Sequence, residues 1–301
     1  IMTASGTQSS ATWGIDRVDQ TALPLDGLYH YPDQGGQGVN VYIIDTGLNA
    51  AHVEFTNRVV PGQNFAPNRG GLLCNLLGLG CQTDPANTTD CNGHGTHVTG
   101  TSAGTTYGIA KKATIHPVRV LGCNGSGSTS GVIAGVDWVA ANRVLPAVAN
   151  MSLGGGDSAA LDDAVENAIA QGVTFVVAAG NDNANACSGS PNKVPAAITV
   201  GASTTADSRD TSYSNFGSCV DLFAPGTGIT SAWYSSNTAT NTISGTSMAT
   251  PHVTGAIALL LGANPGLTPA QATDELLGDA TLGVLSNVGS GSPNALLYVR
   301  H

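Results

Sequence analysis

The chain's 301 residues carry a net charge of −10, with 41% hydrophobic residues, only 10% charged residues and 40 glycines. Its ten lysines and arginines are scattered, which excludes the clustered cationic surface that a nucleic-acid backbone requires. No run approaches the ~18 consecutive apolar residues of a membrane span, "AIALLL" at Ala256–Leu261 being far too short.

The composition is therefore that of a turn-rich globular protein with a sizeable core and a surface built from Ser, Thr, Asn and Gln. Length alone permits one large α/β domain or two smaller ones, but no repeat, linker or low-complexity tract divides the chain. It does not open on a charged segment followed by an apolar one, so a signal peptide is expected to be absent or already removed. The six cysteines lack the paired CxxC spacing of a zinc site and allow fifteen pairings. An even set in a lysine-poor chain favours an oxidising, extracellular compartment.

In chain order, "VNVYIID" (39–45), "TIHPVRV" (114–120), "AVANMS" (147–152), "VTFVVAAG" (173–180) and "AAITVGA" (196–202) read as buried strands. The segment 66–90 reads as an irregular insertion dense in Gly, Pro and Asn, with Cys74 and Cys81 inside it. Between the strands, 129–142 and 158–172 carry apolar residues at three- and four-residue spacing, the second ending at Gly172. "SMATPHVTGAIALLLG" (247–262) reads as a further helix, with Pro251 near its start where a missing amide is tolerable. Strand–helix alternation predicts an α/β fold: a doubly wound, mostly parallel sheet with helices on both faces.

Ligands of such a sheet bind beyond the carboxyl ends of its strands. Three polar motifs close predicted strands: "IIDTG" at Asp45, "NMSLGGG" at Ser152–Gly156 and "AAGNDN" at Asn181. "NGHGTHV" adds His94 and His97. Zinc is disfavoured because Gly95 stands where the helical zinc signature needs Glu. The better reading has His94 at a helix start as general base and His97, one turn on, packed inside. Ser247, at or just before a helix N-terminus, is either an N-cap or a nucleophile whose own amide serves as an oxyanion donor. Asp, His and Ser in this order can form a triad in which Ser attacks, His takes its proton and Asp holds the imidazole. A lipase-type elbow would need Gly where Ala249 stands, which weakens an esterase reading.

With these motifs in view, the chain resembles the subtilisin-type serine proteases, in their proteinase K branch and its aqualysin-like bacterial members. The likeness runs from "ATWGIDRVDQ" (11–20) through "GQGVNVYIIDTG" (36–47), "NGHGTHVTGT" (92–101), "VLGCNGSGSTSGVIAGVDWV" (120–139), "NMSLGGG", "AAGNDNANAC" (178–187) and "GTSMATPHV" (245–253) to "GSPNALLY" (291–298).

The resemblance implies a secreted serine endopeptidase, with Asp45, His94 and Ser247 as triad and Asn181 with the Ser247 amide as oxyanion hole. It further implies that Asn124, Gly125, Ser126 and Gly127 on one side, and Ser152 to Gly155 on the other, hold an extended peptide by strand addition. Ser152, Leu153 and Gly154 with Ala178, Ala179 and Gly180 would wall the primary specificity pocket, which favours large apolar or aromatic side chains because no charge occurs in either wall.

Structural calcium is implied at the Pro195 and Ala197 carbonyls with the Asp221 carboxylate, and at Asp16, Asp19, Gln20 and Asp26, where Leu28 offers only its carbonyl. Asp84 and Asp90 are weaker candidates. Disulfides are implied between Cys91 and Cys123 and between Cys187 and Cys219. Each would close 32 residues, worth roughly 3–4 kcal/mol in the chain-entropy model; a local Cys74–Cys81 bridge is expected. Residues 1–301 would be the mature catalytic domain of a monomer, its partners being peptide and protein substrates and its own pro-region. The competing class is a catalytically silent binding module on the same scaffold.

Overall fold

The structure is a computed structural model that describes residues 4–66 and 84–300. In chain order its elements are β1 (Ala4–Ser9), α1 (Trp13–Val18), β2 (Leu28–Pro32), β3 (Asn40–Asp45), β4 (Gln63–Asn64), α2 (His94–Ala103), β5 (Thr114–Arg119), α3 (Thr129–Asn142) and β6 (Ala147–Met151). The second half supplies α4 (Ala159–Ala170), β7 (Val173–Ala178), β8 (Ile198–Ser203), β9 (Leu222–Pro225), β10 (Ile229–Ala232), β11 (Thr240–Ile243), α5 (Thr246–Ala263), α6 (Pro269–Asp279), β12 (Thr281–Leu282) and β13 (Ala295–Leu296).

Nine of these strands form one sheet in the order β12-β13-β9-β8-β7-β6-β3-β5-β4. Every neighbouring pair is parallel except β12 with β13. The chain runs from β3 to β5 on one side, then back across β3 to β6 on the other. Connections leaving the carboxyl ends there diverge and open a crevice. β1–β2 and β10–β11 are separate antiparallel hairpins.

The burial of β3 explains its uninterrupted apolar run. Val41 and Ile43 face a core completed by Val98 of α2, Val253 and Ile257 of α5 and Leu276 of α6. Tyr42 and Ile44 face the opposite core, with Val132 and Val136 of α3 and Leu161 and Val165 of α4. Side chains alternate between faces, so a strand covered on both must be apolar at every position. β6 and β7 repeat the pattern: Val148 and Val176 point one way, and Ala149 and Val177 the other.

α5 runs through the middle of one layer, and its side chains are buried from Met248 to Leu261. Such a helix must satisfy its polar groups within the protein, since water cannot reach them. Thr250 Oγ1 donates to the Thr246 carbonyl at 2.8 Å, and His252 Nδ1 bonds the Met248 carbonyl at 2.9 Å. Pro251 lies near the helix start as expected but in the second turn, past the orphan amides, so its missing amide is not cost-free. The amide it lacks is one that would have bonded the Ser247 carbonyl four residues back.

Cys91–Cys123 and Cys187–Cys219 are bonded, with Cα separations of 4.8 and 5.3 Å. Cys74 and Cys81 lie outside the described residues.

Candidate active site

Asp45 is the last residue of β3 and is fully buried. Its carboxylate accepts the Thr46 amide at 2.7 Å and faces His94 Nδ1, 2.8 and 2.9 Å from its two oxygens. That geometry fixes the tautomer: Nδ1 carries a proton toward the carboxylate, and Nε2 is left as the base.

His94 is the first residue of α2, and about a quarter of its side chain is exposed, so the ring stays reachable from the crevice. Gly93, at φ 113°, makes the left-handed turn into the helix, and a Cβ there would stand 2.5 Å from the Trp233 ring. Burial pulls the His94 pKa down. The charge and hydrogen bond of Asp45, helped by the charge of Asp90, outweigh it and leave the imidazole above its ordinary value.

His97, one turn later, is fully buried. Its Nε2 meets the Ile229 carbonyl at 3.0 Å, and burial pushes it down to about 4. It is a packed neutral ring.

Ser247 is the second residue of α5, so its amide has no partner inside the helix. Its hydroxyl donates to the Ser152 carbonyl at 3.0 Å; among the described residues no hydrogen bond joins it to His94. Asn181 follows β7 after Gly180, whose φ of 101° turns the chain and whose absent Cβ leaves room for the Asn215 carboxamide. The Asn181 Oδ1 accepts both the amide of Thr246, at 2.8 Å, and its hydroxyl, at 3.0 Å. The helix's first orphan amide thus orients the side chain and leaves Nδ2 for the cavity that Asn181 shares with Ser247.

That cavity holds about 340 Å³ and lies between Leu153–Gly155 on one side and Ala178 and Gly180 on the other, while Ser152 and Ala179, expected in its walls, are buried behind them. Gly155 is already spent on a backbone pair with Ser190, at 3.0 and 3.4 Å, which leaves Leu153 and Gly154 as the open part of that wall. Asp182, Ser188, Gly189, Asn192 and Asn215 also line it, so the interior is more polar than the two walls alone imply. Asn124–Gly127 is an exposed turn, closed by the Gly122 amide on the Ser126 carbonyl at 2.9 Å.

The sequence model of the subtilase family matches residues 36–291. The chain belongs to the subtilase family. It is 60% identical over 295 residues to the extracellular serine proteinase of Thermus sp. (strain Rt41A), covering 98% of this chain and 68% of that protein. It is 52% identical over 298 residues to the alkaline serine exoprotease A of Vibrio alginolyticus, covering 99% of this chain and 52% of that one. This chain thus spans only about half to two thirds of these relatives' lengths. A crystal structure of a cold-adapted subtilisin-like serine proteinase superposes with a TM-score of 0.88 at 53% identity, covering 97% of this chain and all of that one. A protease from Pseudoalteromonas arctica superposes at 0.74 with 30% identity, covering 88% and 89%.

Within this subtilase, several functional contacts escaped sequence reasoning. Asn215 grips the loop after β7, its Oδ1 accepting the amides of Asp182 and Ala184 at 2.9 and 3.0 Å and its Nδ2 donating to the Ala179 carbonyl at 2.9 Å. A lone Asn in a loop carries no pattern that reveals this. Asp90, a weaker calcium candidate in sequence, is a buried organiser whose oxygens are both taken by hydrogen bonds. It accepts the amides of Asn92, Gly93 and Thr96 and the hydroxyls of Thr46 and Thr96, which builds the turn into α2. "DCNG" held that signal, since a short acid two residues before Asn and Gly caps its own turn. Asp84 caps another turn, on the Ala86 amide.

For calcium, the donor chemistry divides the candidates. Asp221 gives one oxygen to the Thr199 amide at 2.7 Å, and burial raises its pKa to about 6, the state of a carboxylate that a cation would relieve. Asp16 is buried, with Oδ2 on the Gly27 amide and Oδ1 unpartnered, and burial together with Asp26 and Asp19 raises it. Asp19 instead bonds the ring and amide of His30, Asp26 bonds the Leu28 amide, and the Gln20 carboxamide turns onto the Ala22 and Pro24 carbonyls. Among the described residues no three His, Cys, Asp or Glu side chains are grouped around one point, so a calcium ion would take several of its oxygens from backbone carbonyls.

The electrostatics of the histidines can be checked directly by NMR titration of the imidazole nitrogens. His94 should titrate above the ordinary histidine value of about 6.5, while His97 and His252 stay neutral down to about 4. Asp45→Asn removes the charge that opposes burial, so the His94 midpoint should then fall below 6.5. An unchanged midpoint contradicts the assigned pairing.

Proposed function

We propose that this subtilase is a secreted serine endopeptidase that cleaves peptide bonds through an acyl-enzyme formed on Ser247. The observation that carries the reading is the arrangement around one crevice of a bonded Asp45–His94 pair, a helix-terminal Ser247 and an Asn181 amide turned into the same cavity.

The chemistry follows from these atoms. The Ser247 hydroxyl leaves the Ser152 carbonyl and turns to His94 Nε2, a step compatible with resting enzymes, whose catalytic hydrogen bonds often close only with substrate. As Oγ attacks the peptide carbonyl carbon, its proton passes to Nε2. The imidazolium so formed is stabilised by the buried Asp45 carboxylate. The carbonyl oxygen becomes an oxyanion between the Ser247 amide and Asn181 Nδ2, donors already in place before charge develops. Collapse expels the amine, which takes the proton from Nε2. Water, deprotonated by the same nitrogen, then releases the acid.

An extended peptide lying between Asn124–Gly127 and Ser152–Gly154 would place the residue before the scissile bond in the 340 Å³ cavity. That volume and the uncharged walls support a preference for large apolar or aromatic side chains, with Asp182 as the charged group lining it. Structural calcium is proposed at Asp221 with the Pro195 and Ala197 carbonyls. A second ion at Asp16, Asp19, Gln20 and Asp26 would require Asp19 and Gln20 to release their present partners. Where bound, calcium neutralises buried carboxylates and takes no part in the reaction.

The test is hydrolysis of a peptide blocked at both termini with Phe before the bond, which an exopeptidase cannot use. Wild type should cleave it. Ser247→Ala should lose at least about 10³-fold, and Asn181→Ala about 10²- to 10³-fold, the latter figure being one measured for the corresponding donor in a subtilisin. Full activity in Ser247→Ala would overturn the assignment; absent activity in wild type, with no labelling of Ser247 by a phosphonyl fluoride, would favour the binding-module reading. Separately, a calcium chelator should lower the thermal midpoint, and Asp221→Asn should shrink that drop. A midpoint indifferent to chelation contradicts the calcium proposal.

A further inference from the structure

The side chain of Ser152 stands at a break in the α5 hydrogen-bond ladder. In an uninterrupted helix the amide of residue 251 would close onto the Ser247 carbonyl. Pro251 has no amide, and its ring crowds that same carbonyl. The Ser247 carbonyl, on the residue that bears the nucleophile, therefore has no amide four residues on to accept. It is not left bare: the Ser152 hydroxyl donates to it at 2.8 Å.

The direction of that bond is set by a buried relay. Thr254 Oγ1 lies 2.8 Å from Asn150 Oδ1 and 3.2 Å from the Thr250 carbonyl; its proton on the shorter contact turns the Asn150 amide nitrogen toward Ser152 Oγ, 2.9 Å away. The Ser152 hydroxyl thus accepts from Asn150 and has one proton left, which goes to Ser247. Asn150 and Thr254 are fully buried and Ser152 is 2% exposed, so no water competes for these positions. The relay starts on α5, crosses to β6 and the residue just after it, and returns to α5 at the carbonyl that lost its helix bond.

We propose that Ser152 is a positioning residue for the nucleophile: its hydroxyl replaces the amide that Pro251 withholds, so that the backbone of Ser247 is oriented from β6 rather than by its own helix. The consequence is geometric. The peptide planes on either side of Ser247 set both the direction of Oγ and the direction of its amide, and small misplacements of reacting groups are costly. A side chain just beyond the carboxyl end of the interior strand β6 holds them from the sheet side. This rests on the function proposed above and deepens it.

The experiment is a double-mutant cycle on the peptide substrate, with kcat referred to active sites counted by phosphonyl fluoride titration. Ser152→Ala should lower kcat about three- to tenfold while KM moves less than about twofold, the size expected for one lost hydrogen bond. Ser152→Thr, which keeps the hydroxyl, should recover most of the loss. In a Pro251→Ala background an amide is again available to the Ser247 carbonyl, so Ser152→Ala should cost less than half as much on a logarithmic scale. Equal loss in both backgrounds, a loss confined to KM, or no loss would overturn the proposal. Should Pro251→Ala fail to fold, the Ser152→Ala and Ser152→Thr pair decides it alone. Inactive wild type, or active Ser247→Ala, would instead overturn the underlying function.

Discussion

The start of α5 is a helix terminus buried at Gly245, Thr246 and Met248 and partly exposed at Ser247, which lines the cavity, and the site is built around that constraint. A helix N-terminus exposes amides that need acceptors. Here the elements beside it supply them. Asn181 takes the amide and hydroxyl of Thr246, and the Met248 amide closes onto the Gly245 carbonyl at 3.0 Å. The Ser247 amide remains available. Satisfying one orphan donor thus aims Asn181, and leaving the next unsatisfied supplies the second half of the proposed oxyanion site. Stability and chemistry are arranged by the same few bonds.

The second constraint is the doubly covered sheet. Because β3, β6 and β7 are apolar on both faces, polar residues on them are confined to their ends, or must be bonded internally as Asn150 is. Asp45, Ser152 and Asn181 all sit at or just beyond carboxyl ends, where the strand order reverses and loops part. The buried Asp45 carboxylate is tolerable there because the Thr46 amide and His94 face it. Asp90 adds negative charge from the turn before α2, which favours an imidazolium over a neutral ring.

The fold's central half was legible because its signals are periodic. The helix at 129–142 was bounded as found, and the strand runs were placed within a few residues, since continuous apolar β-branched stretches between helical patterns admit few alternatives. The hairpins escaped: β11, "TNTI", is half exposed and polar, so neither apolar alternation nor a buried run marks it. α6 was overlooked although Thr268, Pro269 and Gln271 spell out a capping box with proline at the first turn. In the site, the residues proposed to bear chemistry sit in short glycine-flanked motifs that a sequence can point to; their supports do not. Asn215, the Asn150–Ser152 relay and the Asp19–His30 pair depend on contacts between distant segments, which leave no mark in local spacing. Pro251 reads as near the start of its helix, and only the register of α5 reveals that it lies past the orphan amides and which carbonyl it frees.

The most direct measurement of the central claim is a crystal structure of the protein inactivated by a peptidyl phosphonate with an aromatic side chain next to phosphorus. The account predicts phosphorus bonded to Ser247 Oγ and one phosphoryl oxygen about 3 Å from both the Ser247 amide and Asn181 Nδ2. It also predicts the aromatic ring between Leu153–Gly154 and Ala178–Gly180. An adduct on another residue, or a phosphoryl oxygen turned to solvent away from Asn181, would contradict it.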